Sequence, residues 1–94
     1  MQKSNVLIVD DAPINRELLA FILQDHYQVF QAENGKQAIE MIESKERIYR
    51  LVLLDIQMPV MNGYDAALAI RKMKDIKKSR IPIIAMTANA FDDD

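Results

Sequence analysis

Val6-Leu7-Ile8-Val9-Asp10-Asp11 is a run of four apolar residues closed by two carboxylates. Leu51-Val52-Leu53-Leu54-Asp55 repeats the arrangement with a single carboxylate. An unbroken apolar run of this length reads as a strand covered on both faces, as strands of parallel sheets are. In such sheets the residues at strand C-termini gather in the crevice where ligands bind. The two runs therefore bring three carboxylates to one place. Like charges so gathered repel, and a hard divalent cation is the usual compensation. These stretches alone predict an acidic, Mg2+-dependent pocket at the end of a parallel α/β sheet.

Beyond these two runs, strands and helices alternate, which is the pattern of a parallel α/β fold. Residues 5–9 read as the first strand. Residues 13–25 read as a helix, with Ile14, Leu18, Phe21 and Ile22 at helical spacing as its inward stripe and Pro13 suited to its first turn. Residues 27–32 read as a second strand. Asn34-Gly35-Lys36-Gln37 has the form of a capping box, and the helix it opens runs to about Lys45, burying Ala38, Ile39 and Ile42. Residues 51–54 are the third strand. A loop punctuated by Pro59 and Gly63 follows, and Asn62 caps a helix that runs to about Lys74 and turns Ala66, Ile70 and Met73 inward. Asp65 places a favourable charge near the start of that helix. Ile81 to Met86 is the fourth strand, with Pro82 near its start, where proline is tolerated. Thr87 ends it, and a further helix opens at Ala88.

The whole chain narrows the function classes. Ninety-four residues make one small domain, 1–94, and half of them are hydrophobic, enough for a core. A net charge of −2 gives no footprint for nucleic acid or for an anionic membrane. Lys77, Lys78 and Arg80 read as a solvated helix end. No cysteine is present, so thiol chemistry and disulfides are excluded. No signal peptide and no apolar run of spanning length is visible, and a cytoplasmic location is the default expectation. His26, the only histidine, reads as an exposed loop residue, which argues against a His-rich metal site or a Ser-His-Asp triad.

Each candidate has a plainer alternative. Asp11 could simply cap the helix near Pro13, but that explains one Asp and not two in succession. Asp55, directly after four buried apolar residues, is a candidate nucleophile or ligand, since a carboxylate can attack a phosphoryl group to give an acyl phosphate. Thr87 alone is a turn hydroxyl bonding to local backbone. Beside an acidic phosphoacceptor it could instead donate to a phosphoryl oxygen. Met41, Met73 and Met86 read as core filler, while Met58 and Met61 flank Pro59 and shape its loop. Asp92-Asp93-Asp94 reads as first-turn charge and not as a metal cluster.

Val9-Asp10-Asp11, Leu54-Asp55-Ile56-Gln57-Met58-Pro59-Val60-Met61-Asn62-Gly63 and Ala85-Met86-Thr87-Ala88 together resemble the receiver domain of two-component response regulators. The resemblance runs along the whole chain in order, and the long Asp-to-Gly motif is very specific. It implies a flavodoxin-like, doubly wound parallel sheet of strand order 2-1-3-4-5, of which four strands and about three and a half helices fall within this sequence. It also implies that Asp55 is the phosphoacceptor, receiving a phosphoryl group from a histidine kinase or phosphotransfer protein. Asp10 and Asp11 correspond to the acidic pair that holds Mg2+ (or Mn2+) with Asp55. Gln57 corresponds to the residue whose backbone carbonyl completes the site. Thr87 corresponds to the switch hydroxyl, and the Gln57 side chain and Asn89 to positions that tune dephosphorylation. An output domain or downstream protein would read the switch. The stretch from Asp11 through Asn15-Arg16 resembles receivers attached to hybrid sensor kinases, while the motif's start a few residues after Met1 suits a receiver at the start of its polypeptide.

The sequence departs from the family pattern at its end. It stops inside the fourth helix, so the lysine and switch aromatic of strand five have no counterpart, and removing a charge-stabilising donor of that kind costs about 10²–10³ in rate. An uncovered fourth strand and sheet face invite association, so the chain as written is expected to be unstable alone or to form a homo-oligomer through that edge. The leading reading is a self-phosphorylating switch and not a turnover enzyme, although a parent chain could carry a histidine kinase or other output enzyme. The alternative is a receiver-like interaction or assembly module that does not signal by phosphorylation. An Asp-nucleophile phosphohydrolase would commonly carry a second Asp two residues on, where this chain has Gln57.

Overall fold

The computed structural model describes residues 3–44, 46–55 and 63–86. Within them the elements are β1 (Ser4–Val9), α1 (Pro13–Leu23), β2 (Tyr27–Ala32), α2 (Gly35–Glu43), β3 (Leu51–Asp55), α3 (Gly63–Arg71), α4 (Ile76–Ser79) and β4 (Ile83–Met86). The four strands form one parallel sheet in the order β2-β1-β3-β4. The chain moves outward from β1 to β2, then crosses back to β3 on the other side. The crevice opens where that direction reverses, between the C-terminal ends of β1 and β3. The expected flavodoxin-like order is thus present over four strands.

The apolar runs are unbroken because both faces of the sheet are covered. Leu7, Val9, Val52 and Leu54 point to one face, where they pack with Ala38, Ile42, Ala66 and Ile70 from α2 and α3. Val6, Ile8 and Leu53 point to the other, against Leu19, Ala20 and Leu23 of α1. Full burial of a Leu or Ile side chain contributes about 1.5–3 kcal/mol, so these strands anchor the fold. On the α2 side, the rings of Phe30 and Tyr49 meet edge to face, and the Arg47 guanidinium lies 4.1 Å over the Phe30 centroid.

Local signals carry into structure with specific changes. The Asn34 side chain accepts from the Gln37 N–H, as the capping box predicts, but the Gln37 amide reaches back to the N–H of Glu33 and not to that of Asn34. Pro82 lies just before β4, and its carbonyl accepts from the Val52 N–H at 2.9 Å. Ile39 is half-buried, while Ala38 and Ile42 are buried as expected. α3 ends at Arg71, short of Lys74, and Met73 packs against the core from the following turn.

One expectation is corrected. The stripe Ile14, Leu18, Phe21 and Ile22 faces away from the sheet, with Ile14 79% and Phe21 71% exposed. The packing stripe is Leu19, Ala20 and Leu23, which obeys the same helical spacing one position round. Apolar residues on both sides of α1 left periodicity without a basis for choosing. Lys77 and Lys78 lie in the last turn of a helix, as expected of a solvated helix end, but not of the helix that begins at Gly63. They belong to α4, a separate short helix capped by the Asp75 carboxylate, which accepts from the Lys77 N–H at 2.9 Å. Arg71 steadies that segment by donating to the carbonyls of Ser79 and Ile81.

The Asn62 cap, the loop methionines Met58 and Met61, the helix expected from Ala88 and the Asp92-Asp93-Asp94 tail lie outside the described residues. Among the described residues no helix is long and apolar enough to cross a membrane.

Candidate functional site

Strand register decides which polar residues meet. Val9 pairs with Ala32 on one side and with Leu54 on the other, so Asp10 and Asp55 emerge at adjacent strand ends, with Asp11 next in the chain. One carboxylate oxygen from each of Asp10, Asp11 and Asp55 lies within 4.8 Å of the other two. Asp10 is buried, Asp55 half-buried and Asp11 exposed, so the cluster is anchored on one side and open on the other.

Asp10 is held at every polar atom. Its N–H donates to the Ala32 carbonyl at 3.1 Å, extending the sheet one step past the strand. Its Oδ1 accepts from the Ala12 N–H at 2.9 Å, and its Oδ2 accepts from Asn15 Nδ2 at 3.3 Å. Its own carbonyl accepts from Arg16 Nη1 at 2.7 Å. A carboxylate offers about four lone-pair sites, so one bond to each oxygen leaves both able to accept again. The plainer role considered for Asp11, capping α1, is not what the structure has. Ala12 occupies the cap position without a side-chain bond, and the local turn is closed by Asp10.

The donor set suits a hard cation. Three carboxylates with no His or Cys among them match Mg2+ or Mn2+ and not a tetrahedral zinc site. Mg2+ keeps several waters and uses few carboxylates, which fits a cluster with one buried and two solvent-reaching members.

Gln57, Thr87 and Asn89 fall outside the described residues. Thr87 is the residue after Met86, and Met86 is the register partner of Asp55. Sequence reading assigned no contact to Asn15 or Arg16, which turn out to bind Asp10. The available signal was two polar residues in the opening turns of a helix that begins directly after the acidic pair.

The model of the response regulator receiver domain family matches residues 6–94. The chain is 37% identical over 98 residues to hybrid signal transduction histidine kinase I of Dictyostelium discoideum, covering 100% of this chain and 6% of that protein. Among solved structures, it resembles the receiver domain of the sensor histidine kinase PA1611 from Pseudomonas aeruginosa, which has a magnesium ion coordinated in its active site cleft. That match has 34% identity and a TM-score of 0.83, and covers 98% of this chain and 73% of the other. It also resembles the response regulator TrrA of Thermotoga maritima in complex with Mg2+-BeF, at 40% identity and a TM-score of 0.78, over 93% of this chain and 71% of the other.

Proposed function

The chain belongs to the response regulator receiver family of two-component signalling, and from that premise we propose that it is a phosphoacceptor module whose acceptor is Asp55. The observation that carries this reading is the convergence of Asp10, Asp11 and Asp55 within 4.8 Å at the switch point of the sheet. A carboxylate oxygen of Asp55 attacks the phosphorus of a phosphohistidine. The new P–O bond forms as the P–N bond breaks, and the electron pair returns to the imidazole. Asp10 is buried while Asp55 is half-buried, so Asp55 is the more accessible of the two to an incoming phosphoryl group.

Asp10, Asp11, Asp55 and the backbone carbonyl of Gln57 would hold Mg2+ or Mn2+. When bound, the cation neutralises and aligns the phosphoryl oxygens. Thr87 donates its hydroxyl to a phosphoryl oxygen and so registers the modification. Gln57 and Asn89 set how quickly water removes the group. The donor is a histidine kinase or phosphotransfer protein, and an output domain or downstream protein reads the result. The module modifies itself and does not turn over a substrate. A cytoplasmic location and a single unit over residues 1–94 belong to the same reading by resemblance.

Self-association is a further part of the proposal. Among the described residues β4 pairs only with β3, and Ile84 on it is 52% exposed, which supports docking of a second copy at this strand.

Chemical trapping tests the acceptor. The chain is incubated with acetyl phosphate and Mg2+, then reduced with borohydride, which converts an acyl phosphate to the corresponding alcohol. Peptide mass should place the reduced residue at Asp55. Reduction at Asp10 or Asp11 instead would refute the assignment.

A further inference from the structure

We propose that Arg16 is a positioning residue for the acidic pocket: its guanidinium fixes the backbone of Asp10 and thereby presets the carboxylate that a divalent cation meets. The inference rests on the metal-binding reading above and deepens it.

Three hydrogen bonds close a ring. The Ala12 N–H donates to Asp10 Oδ1 at 2.9 Å, the Arg16 N–H donates to the Ala12 carbonyl at 3.2 Å, and Arg16 Nη1 donates to the Asp10 carbonyl at 2.7 Å. The ring couples the main chain of Asp10, its side chain and the first turn of α1. It forms where the sheet can no longer do that work. The register ends at Val9 and Ala32, one residue before Asp10, and the carbonyl of Asp10 is bonded by a side chain in place of a strand N–H. Arg16 Nε also donates to Gln31 Oε1 on β2 at 3.2 Å, which fixes the plane of the guanidinium against a second strand. A planar fork with donors on different edges can span β1 and β2 in this way, whereas a lysine ammonium is a point donor.

Both of these bonds end on uncharged oxygens. Arg16 therefore does not occupy the carboxylate lone pairs that a cation needs. Its charge, however, lies close to the pocket and by Coulomb's law opposes a second cation there. Positioning and charge thus predict opposite signs. If only charge mattered, removing Arg16 would tighten divalent binding. If positioning dominates, removal weakens it, as loss of an outer partner of a metal ligand commonly does by about 10–100-fold.

The test is a Mn2+ titration followed by electron paramagnetic resonance, with Mg2+ as competitor, on the 94-residue chain and on Arg16→Met, Arg16→Lys and Gln31→Met. Arg16→Met should bind Mn2+ about tenfold or more weakly although a positive charge is gone. Arg16→Lys should fall between Arg16→Met and the parent, and Gln31→Met should weaken binding to a smaller degree. Unchanged or tighter binding by Arg16→Met, at parental thermal stability, would overturn the proposal. Should Arg16→Met not fold, Gln31→Met decides, and parental affinity there overturns it equally. Absence of saturable Mn2+ binding by the parent chain would instead remove the metal-binding reading itself, and this proposal with it.

Discussion

Val9 and Leu54 are direct register partners in β1 and β3, and this pairing is why Asp10 and Asp55 leave the sheet side by side. Both faces of these runs are apolar and covered, so a slip of one residue would draw a carboxylate into the buried register in place of Val9 or Leu54, and the cost of burying it there favours the geometry of the site. The arrangement concentrates negative charge that a bound cation would relieve.

Divalent cations should therefore stabilise the folded chain. At a Mg2+ concentration about a hundred times Kd the gain is about 2.7 kcal/mol, and each kcal/mol raises Tm by roughly 4–8 °C for a domain of this size. Asp11→Asn, which removes one exposed charge from the cluster, should raise Tm slightly in chelator and reduce the Mg2+ gain. Scanning calorimetry with Mg2+ and with chelator measures both. A Tm indifferent to Mg2+ would count against a cation site.

Tyr49 offers a stability prediction independent of the pocket. Its side chain is buried against Phe30, and among the described residues its hydroxyl is the buried side-chain group that finds no hydrogen-bond partner. Tyr49→Phe keeps the ring packing and removes the unsatisfied group, so it should be neutral or stabilising by about 1 kcal/mol. Tyr49→Ala should cost about 3–5 kcal/mol by emptying the site. Urea unfolding of the two variants checks the contrast.

The two stripes of α1 are separable by the same method. Leu19 packs against the sheet and Leu18 faces away from it. Leu19→Ala should destabilise by about 1–2 kcal/mol, less than a fully buried leucine would, while Leu18→Ala should stay within about 0.5 kcal/mol. Equal costs would mean that the helix presents a different face.

The α1 case also shows where sequence reading reached its limit. β1 and β3 were legible because short runs of apolar residues, in a chain where strand and helix patterns alternate, read as strands buried on both faces. The acidic cluster followed from them, since strand ends in a parallel sheet converge. The start of α2 was legible because Asn34 and Gln37 announce a cap through local chemistry. α1 was placed nearly to the residue but rotated, because Ile14, Leu18, Phe21 and Ile22 offer as good an apolar stripe as Leu19, Ala20 and Leu23. α4 has four residues, too few to display a period, and its one signal was Asp75 as a cap. The contacts of Asn15 and Arg16 with Asp10 depend on the turn between β1 and α1, which no periodicity encodes.

If copies pair through β4, as proposed, association depends on concentration. Sedimentation equilibrium should show the chain self-associating as concentration rises. Ile84→Lys, which puts a charge on β4, should shift it toward monomer. Association unaffected by Ile84→Lys would move the contact elsewhere.

On the proposed function, the clustered carboxylates make Asp55 a phosphoryl acceptor. Intact mass after incubation with acetyl phosphate tests it most directly, on the parent chain and on Asp55→Asn, each with Mg2+ and with chelator. A single phosphoryl adduct on the parent chain that requires both Mg2+ and Asp55 is the predicted result. An adduct that persists in Asp55→Asn or in chelator, or no adduct while Mg2+ binding is intact, would contradict it.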